Sequence, residues 1–167
     1  NWKIGEFKKV GVSVFGQDYG FASDESTLIE TNIDTTNKII YLRECFYIKH
    51  LTTSQIGELN LKHAGNALII GDSAEPRLIN ELKSKGSNII SAIKGQGSIT
   101  YGISLIQDYD LIVSEDSVNL IKELNNYCWL ERKSKTPQDK FNHLLDGLRY
   151  AVTYQLQNPN RGTYMIS

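Results

Sequence analysis

Three aspartates stand where their carboxylates can act together on a charged substrate. Asp18 and Asp72 each follow a short apolar run at the end of a predicted strand, and Asp146 lies in the last helical pattern of the chain. Strand ends in α/β sheets open into the crevice where ligands bind. If the first and fourth strands are neighbours, Asp18 and Asp72 lie about one strand spacing apart, ~5 Å. Carboxylates that close repel each other unless a cation lies between them, so the pattern predicts a divalent metal site.

The predicted final helix supports this site with a second ligand type. One side of it is an apolar stripe formed by Phe141, Leu144, Leu145, Leu148 and Val152. The other side carries His143, Asp146, Gly147 and Tyr150. His143 and Asp146 are spaced i and i+3, so both can reach one ligand. Because oxygen donors dominate and no cysteine pair joins them, Mg²⁺ or Mn²⁺ is favoured over structural Zn²⁺.

Each of these residues also has an ordinary structural interpretation. An aspartate after a glycine at a strand end is commonly a turn former, and a histidine beside Asn142 on a helix is commonly a surface residue. Asp24, in a polar turn six residues beyond Asp18, either assists the metals or caps the loop. The prediction of a metal site therefore rests on the combination of residues.

Two further segments are candidates for phosphate contact. Residues 94–99, Lys-Gly-Gln-Gly-Ser-Ile, follow a predicted strand and open a helix, a geometry that brings backbone N–H groups to phosphate. A turn with Ser98 as the helix N-cap is the alternative, and the segment lacks the ending of a P-loop. The basic stretch is either a phosphate track or a solvated loop, and it contains Arg132, Lys133, Lys135 and Lys140.

The elements that position these residues follow from hydrophobic periodicity. Strands are predicted over 8–15, 27–33 and 38–48, the last two joined by a polar turn at 34–37, as an antiparallel meander. A helix over 53–64 precedes a buried strand at 67–70, and alternating elements follow: helix 75–85, strand 88–93, helix 98–107, strand 111–113 and helix 117–125. A short strand at 127–131 and a helix introduced by Pro137 and running to about Gln157 complete the chain. This order predicts an α/β fold with a mixed central sheet flanked by helices.

Composition bounds the setting of the domain. The 167 residues, 40% of them apolar, fit one domain, and a net charge of −1 gives no general sign of a nucleic-acid binder. Cys45 and Cys128 lie in apolar surroundings, which favours free thiols and a reducing, intracellular environment. No membrane-spanning run or charged leader is present, so no membrane partner is expected. Because the chain opens without a methionine, we expect an excised domain or a processed product of a larger protein.

Four blocks, taken in order, resemble the nuclease domain of bacteriophage terminase large subunits. They are Gly16-Gln-Asp-Tyr-Gly-Phe-Ala-Ser-Asp24, Ile70-Gly-Asp-Ser-Ala-Glu-Pro76, Lys94-Gly-Gln-Gly-Ser-Ile99 with Gly102-Ile103, and Asn142-His-Leu-Leu-Asp-Gly-Leu-Arg-Tyr150. Residues 117–124 and 127–129 are also similar to the family pattern, and Gly147 stands where many relatives carry alanine. Any one block is weakly specific, whereas four in order are fairly specific and cover nearly the whole chain.

The resemblance implies a ribonuclease H-like fold in which Asp18, Asp72 and Asp146 are the catalytic, metal-binding triad, with His143 and Asp24 near the metals. It implies an endonuclease that cuts concatemeric double-stranded viral DNA during packaging with two Mg²⁺ or Mn²⁺ ions, which activate water and stabilise the leaving 3′ oxygen. Lys94, Arg132, Lys133 and Lys135 are the candidate DNA contacts.

The same resemblance gives expectations for the setting of the domain. It implies a separate N-terminal ATPase domain, portal and small terminase subunits as partners, and a location in the cytoplasm of the infected bacterial host rather than in the mature virion. The near-neutral charge fits a domain that is handed DNA by its motor.

Competing functions remain open from the sequence alone. A Holliday-junction resolvase or an RNA–DNA hybrid nuclease would place carboxylates on the same scaffold, and substrate form separates these enzymes. A sugar-kinase or actin-like ATPase also starts with a strand and an Asp-x-Gly turn, but the chain is short for its two related halves. A docking module for portal or small terminase subunits would need no metal.

Overall fold

A computed structural model describes residues 1–20, 24–126 and 142–157. The strands of these residues are β1 (Trp2–Ile4), β2 (Val14–Gln17), β3 (Glu25–Asp34), β4 (Ile39–Lys49), β5 (Ile69–Gly71), β6 (Ile89–Ser91) and β7 (Asp110–Val113). The helices are α1 (Thr53–Ala64), α2 (Pro76–Ser84), α3 (Ser98–Gln107), α4 (Val118–Asn126) and α5 (His143–Gln157). None of these helices is both long enough and apolar enough to cross a membrane.

The strands form one mixed sheet in the order β1-β7-β4-β3-β2-β5-β6. β3 runs antiparallel to its neighbours β4 and β2, and the other pairs are parallel. In the β2–β5 pair, Gln17 lies opposite Gly71, so Asp18 and Asp72 leave the sheet side by side. The predicted mixed sheet and the predicted neighbourhood of the first and fourth strands are both confirmed.

Both faces of the sheet are covered by helices, which bury three apolar clusters among the described residues. Leu28 and Ile29, adjacent on β3, point to opposite faces as the period of a strand requires. Leu28 packs with α1 and α2, whereas Ile29 packs with α3, α4 and α5. The predicted helices α1 to α4 are confirmed to within a residue or so at most ends.

The first predicted strand, over 8–15, is wrong in its position. The strand is Val14–Gln17, and a separate strand, Trp2–Ile4, pairs with β7 at the sheet edge. Between them, the backbone N–H groups of Val10 and Gly11 donate to the Asn32 side chain at 2.8 and 3.0 Å instead of joining a ladder. The alternating valines that suggested a strand are largely solvent-exposed, 55% for Val10 and 85% for Val12.

The final helix α5 is buried on most sides, and Leu144, Leu145, Leu148 and Val152 of its predicted apolar stripe pack together in one core cluster. It contacts β2, β3 and β5 as well as α3 and α4, because it lies between the sheet and the other helices. Gly147 and Tyr150, assigned to its polar side, are buried against the sheet. The predicted start of this helix near Pro137, Phe141 of its stripe, and the strand predicted at 127–131 lie outside the described residues.

The thiol of Cys45 is free and partly buried. Burial raises the pKa of this thiol to about 12, so it is a protonated packing group at neutral pH. It lies at a bulge, where β4 pairs Glu44 with Ile29 and Phe46 with Leu28. The bulge leaves Cys45 without a partner in this register and changes which side chains of β4 face the helices. Cys128 is outside the described residues.

Candidate active site

Asp18 and Asp72 lie side by side at the carboxyl ends of β2 and β5. The backbone N–H of Asp72 donates to the carbonyl of Gln17 at 3.0 Å, which continues the parallel pairing by one step. Asp18 is 7% exposed and Asp72 is 8% exposed. Asp18 Oδ1 accepts the N–H of Tyr19 at 3.0 Å, and Asp72 Oδ1 accepts that of Ala74 at 3.2 Å. These short local bonds fix both carboxylates in place.

A close backbone contact brings the first turns of α5 to the same sheet edge. A Cβ on Gly16 would stand 1.8 Å from the carbonyl oxygen of Gly147, so two glycines are placed where helix and strand meet. In this position His143 Nδ1 lies 2.9 Å from Asp18 Oδ2. Asp146 Oδ1 lies 3.4 Å from both Asn142 Nδ2 and Arg149 Nη2. The predicted triad and His143 are therefore gathered at one edge of the sheet.

The charges of this cluster act on one another. Burial raises the pKa of Asp18, and the charge of Asp72 raises it further, while His143 opposes both effects. Burial and then the charge of Asp18 raise the pKa of Asp146 to about 6. The hydrogen bond to Asp18 raises the pKa of His143 above its usual value. An oxygen-rich group whose members repel one another is the donor set that a hard divalent cation prefers, so these residues fit a divalent metal.

Lys94, a predicted DNA contact, forms an ion pair with Asp72 Oδ1. Its ammonium also lies 5.8 Å from the ring centre of Tyr150. The side chain remains 43% exposed, so it is at the mouth of the site and not within the core. The other predicted DNA contacts, Arg132, Lys133 and Lys135, fall outside the described residues, as does Lys140.

The glycine-rich segment before α3 does not have the Ser98 N-cap that one of its two interpretations predicted. The N-cap of α3 is Gly97, in the left-handed conformation at φ 78°, and no side chain caps the helix. Ser98, expected as the N-cap in that interpretation, is instead the first residue of the helix. A left-handed N-cap favours glycine, which accounts for Gly97 by backbone geometry alone.

Glu25 is a site residue that the sequence interpretation missed. Ligand atoms of Asp24, Glu25 and His143 all lie within 4.8 Å of one another, and His143 Nε2 is 4.0 Å from Glu25 Oε2. Asp24 is exposed and Glu25 is partly buried. The sequence feature that could have identified Glu25 is the antiparallel meander, because a strand antiparallel to β2 must begin at the edge where β2 ends.

Tyr150 and Arg149 line the site as well, although the sequence suggested no role for Arg149. Burial raises the pKa of the Tyr150 phenol, and the charges of Asp146, Asp18 and Asp72 raise it further. The Arg149 guanidinium lies 4.9 Å from the Tyr150 ring centre, and its residue is 8% exposed. A buried cation thus borders the carboxylates on the α5 side.

Known proteins resemble this chain in sequence and in structure. The family described as "Terminase RNAseH like domain" matches residues 18–154. The large terminase subunit of Bacillus phage SPP1 is 30% identical over 145 residues, which are 81% of this chain and 34% of that protein. The chain thus spans about a third of the length of the curated relatives that it matches.

Solved structures give the same assignment. The nuclease domain of the SPP1 large terminase, g2p, solved with bound Mn, matches with a TM-score of 0.78 and 25% identity, over 93% of this chain and 96% of that one. The P22 large terminase nuclease domain matches with a TM-score of 0.71 and 14% identity, over 93% and 86%, and shows the shared fold. Since the family match covers most of the chain, this protein belongs to the terminase RNase H-like domain family.

Proposed function

We propose that the chain is the nuclease domain of a phage terminase large subunit and cuts concatemeric double-stranded viral DNA during genome packaging. The observation that carries the proposal is the convergence of Asp18, Asp72, Asp146 and His143 at one edge of the sheet. The similar domain of the SPP1 large terminase is a nuclease domain that was solved with bound Mn. The whole of 1–167 is proposed as this one domain.

Asp18, Asp72 and Asp146 would hold Mg²⁺ or Mn²⁺, two ions in the active complex, with His143 and Asp24 as accessory ligands. Such ions supply an activated water and stabilise negative charge on the phosphodiester. Asp18 is oriented by two different groups, the Tyr19 N–H on Oδ1 and the His143 ring on Oδ2. His143 thus holds a carboxylate that two neighbouring acids would otherwise repel, and the hydrogen bond to Asp18 raises the pKa of His143 in return.

Lys94 would contact the DNA backbone. Its exposed ammonium at the mouth of the site can move from Asp72 to a phosphate when the carboxylate is otherwise neutralised. Contacts of this kind are to phosphate and carry no sequence information, so cutting is proposed to be largely sequence-independent. The basic residues Arg132, Lys133 and Lys135 would extend the same track.

The proposed setting follows from the family. We propose that an ATPase domain precedes this domain in the full-length protein, that portal and small terminase subunits are its partners, and that it acts in the cytoplasm of the infected bacterial host and is absent from the mature virion. The chain spans about a third of its curated relatives, which leaves room for such an ATPase domain.

Asp72→Asn is the test of this function. The amide keeps the oxygen that accepts the Ala74 N–H, so the variant should fold, but it loses the charge needed to hold a cation. Supercoiled plasmid is incubated with wild type or variant in Mg²⁺, Mn²⁺ or EDTA, and nicking and linearisation are followed. We expect metal-dependent cutting by wild type and none by Asp72→Asn.

Asp110→Asn is the matched control, because Asp110 is exposed and opens β7 at the opposite edge of the sheet. It should cut like wild type. A four-way junction and an RNA–DNA hybrid are offered in parallel, and preference for either would replace duplex DNA as the substrate. Full activity of Asp72→Asn would overturn the site, and a wild type that binds no metal would point to a docking module.

A further inference from the structure

The first turn of α5, which carries His143 and Asp146, is capped by a residue of another helix. Glu123 of α4 accepts the backbone N–H of Leu144 at 3.2 Å with Oε2 and that of Leu145 at 3.0 Å with Oε1. The two capped residues lie directly between His143 and Asp146. Glu123 is 3% exposed, so its carboxylate is committed to these bonds and not to solvent.

The residue that usually caps a helix start makes a different contact at α5. The first N–H groups of a helix lack internal partners, and the residue just before the helix normally accepts from one of them with its side chain. Asn142 holds that position, since its carbonyl accepts the N–H of Asp146 at 2.8 Å. Its side-chain amide, however, donates toward Asp146 Oδ1 at 3.4 Å. Glu123 therefore supplies from α4 what the local chain does not.

The helix that provides the cap is itself anchored to the sheet by a second carboxylate. Glu44 of β4 accepts the backbone N–H of Leu120 at 2.9 Å and the side-chain amide of Asn119 at 2.7 Å. The N–H of Glu44 donates to Ser117 Oγ at 2.9 Å. Two buried or half-buried carboxylates thus link β4 to α4 and α4 to α5, without using the chain between α4 and α5.

We infer that Glu123 is a positioning residue of the active site, which sets the height and rotation of the α5 turn bearing His143 and Asp146. This inference rests on the proposed function, because the groups it positions are the proposed metal ligands. The carboxylate can bind two N–H groups at once, whereas an amide offers one oxygen and places an N–H₂ against the second donor. A small movement of α5 would separate His143 from Asp18 and withdraw Asp146 from the cluster.

Glu123→Gln tests the inference with two measurements. In EDTA, amide hydrogen exchange should become about tenfold faster at whichever of Leu144 and Leu145 faces the amide N–H₂, because one of the two capping hydrogen bonds is lost. Binding of Mn²⁺, titrated calorimetrically, should weaken about tenfold, the usual effect of removing a group that orients metal ligands. The NMR signal of the His143 ring in EDTA should move toward that of an Asp18→Asn variant, since both lose the contact between His143 and Asp18.

Leu82→Val is the control for a general loss of stability. Leu82 is fully buried in the cluster formed with α1 and α2, whereas the apolar residues of α5 pack in other clusters, so its truncation lowers the melting temperature without touching the cap. It should leave Mn²⁺ affinity and the Leu144 and Leu145 exchange pattern unchanged relative to other amides. Glu44→Gln is a second variant, which should weaken Mn²⁺ binding by a smaller factor because it loosens α4 and leaves Glu123 intact. If Glu123→Gln fails to fold, Glu44→Gln tests the positioning role instead.

The outcomes separate the inference from the function beneath it. If both glutamine variants bind Mn²⁺ as wild type does and exchange at Leu144 and Leu145 is unaltered, the positioning role is refuted. If wild type itself binds no Mn²⁺, the proposed function fails. Exchange and the His143 signal in EDTA still report whether Glu123 sets the geometry of α5.

Discussion

Asp146→Asn, which removes one negative charge from the site, should stabilise the metal-free domain and abolish its stabilisation by metal. The pKa of Asp146 lies at about 6 in the fold against its usual 3.8, because of burial and the charge of Asp18. A folded-state pKa above the unfolded value means that the protonated carboxyl favours folding. This contribution is complete below pH 3.8 and is lost as the pH rises through 6. Asp146→Asn keeps a neutral group at every pH and so escapes the loss.

The magnitude follows from that pKa difference. One pH unit corresponds to about 1.4 kcal/mol, so the ionised Asp146 costs the metal-free fold about 3 kcal/mol near pH 8. The side chain is 27% exposed, which is low enough for this cost to survive solvent screening. At about 2–4 °C per kcal/mol for a domain of this size, the variant should melt at least about 6 °C above wild type. Its oxygen can still accept from Arg149, whose contact with Asp146 is already long at 3.4 Å.

Thermal unfolding in EDTA from pH 4.5 to 8 measures the effect. The gap between Asp146→Asn and wild type should widen with pH, mostly between pH 4.5 and 6, and should level off above pH 6. Addition of Mn²⁺ at pH 8 should raise the melting temperature of wild type alone, because binding to the folded state stabilises it by mass action. A variant that melts at or below wild type in EDTA at pH 8 would refute the reasoning from repulsion.

Three further substitutions test the packing and the charge of the site. Gly16→Ala should prevent α5 from docking, because its Cβ would stand 1.8 Å from the Gly147 carbonyl oxygen. Gly147→Ala should fold with a modest loss of melting temperature, because its Cβ would meet Gly16 at 3.1 Å. Equal melting temperatures for the two variants would contradict this reasoning. Lys94→Gln should tighten Mn²⁺ binding in the absence of DNA, because the ammonium no longer competes for Asp72, and should weaken DNA binding with a salt dependence reduced by about one counterion. Calorimetry and DNA titration over a range of salt concentrations check both effects, and unchanged values in both would remove Lys94 from the site.

The triad could be predicted from the sequence because its signals are local. An apolar run that ends in an aspartate defines a strand end, and a spacing of i and i+3 places His143 and Asp146 on one side of a helix. Only the adjacency of β2 and β5 had to be assumed, and the sheet order confirms it. The helices and the meander were equally accessible, since each has its own periodicity and end signals.

The remainder of the site depends on contacts between distant segments, which no local pattern encodes. Glu25 reaches His143 only because β3 is antiparallel to β2, and Glu123 reaches Leu144 and Leu145 only because α4 packs on α5. The segment 5–13 misled for a related reason. Its valines alternate as in a strand, but Asn32 takes the backbone bonds that a neighbouring strand would have taken.

The repulsion between the three carboxylates explains why the site is also held together by contacts that do not involve the proposed metal ligands. Two buried carboxylates and one partly buried carboxylate at one edge destabilise the metal-free fold, and the helix that brings the third of them would relieve the repulsion by moving away. The close approach of Gly16 and Gly147 and the cap from Glu123 resist that movement at two different points of α5. Burial also raises the pKa of Glu123 from 4.5 to about 8, although the Leu144 and Leu145 N–H groups oppose this, so ionising the cap costs stability as the pH rises from 4.5 through 8. For the proposed metal site, this preorganisation gives up stability without metal in return for ligands that would not need to move when metal binds.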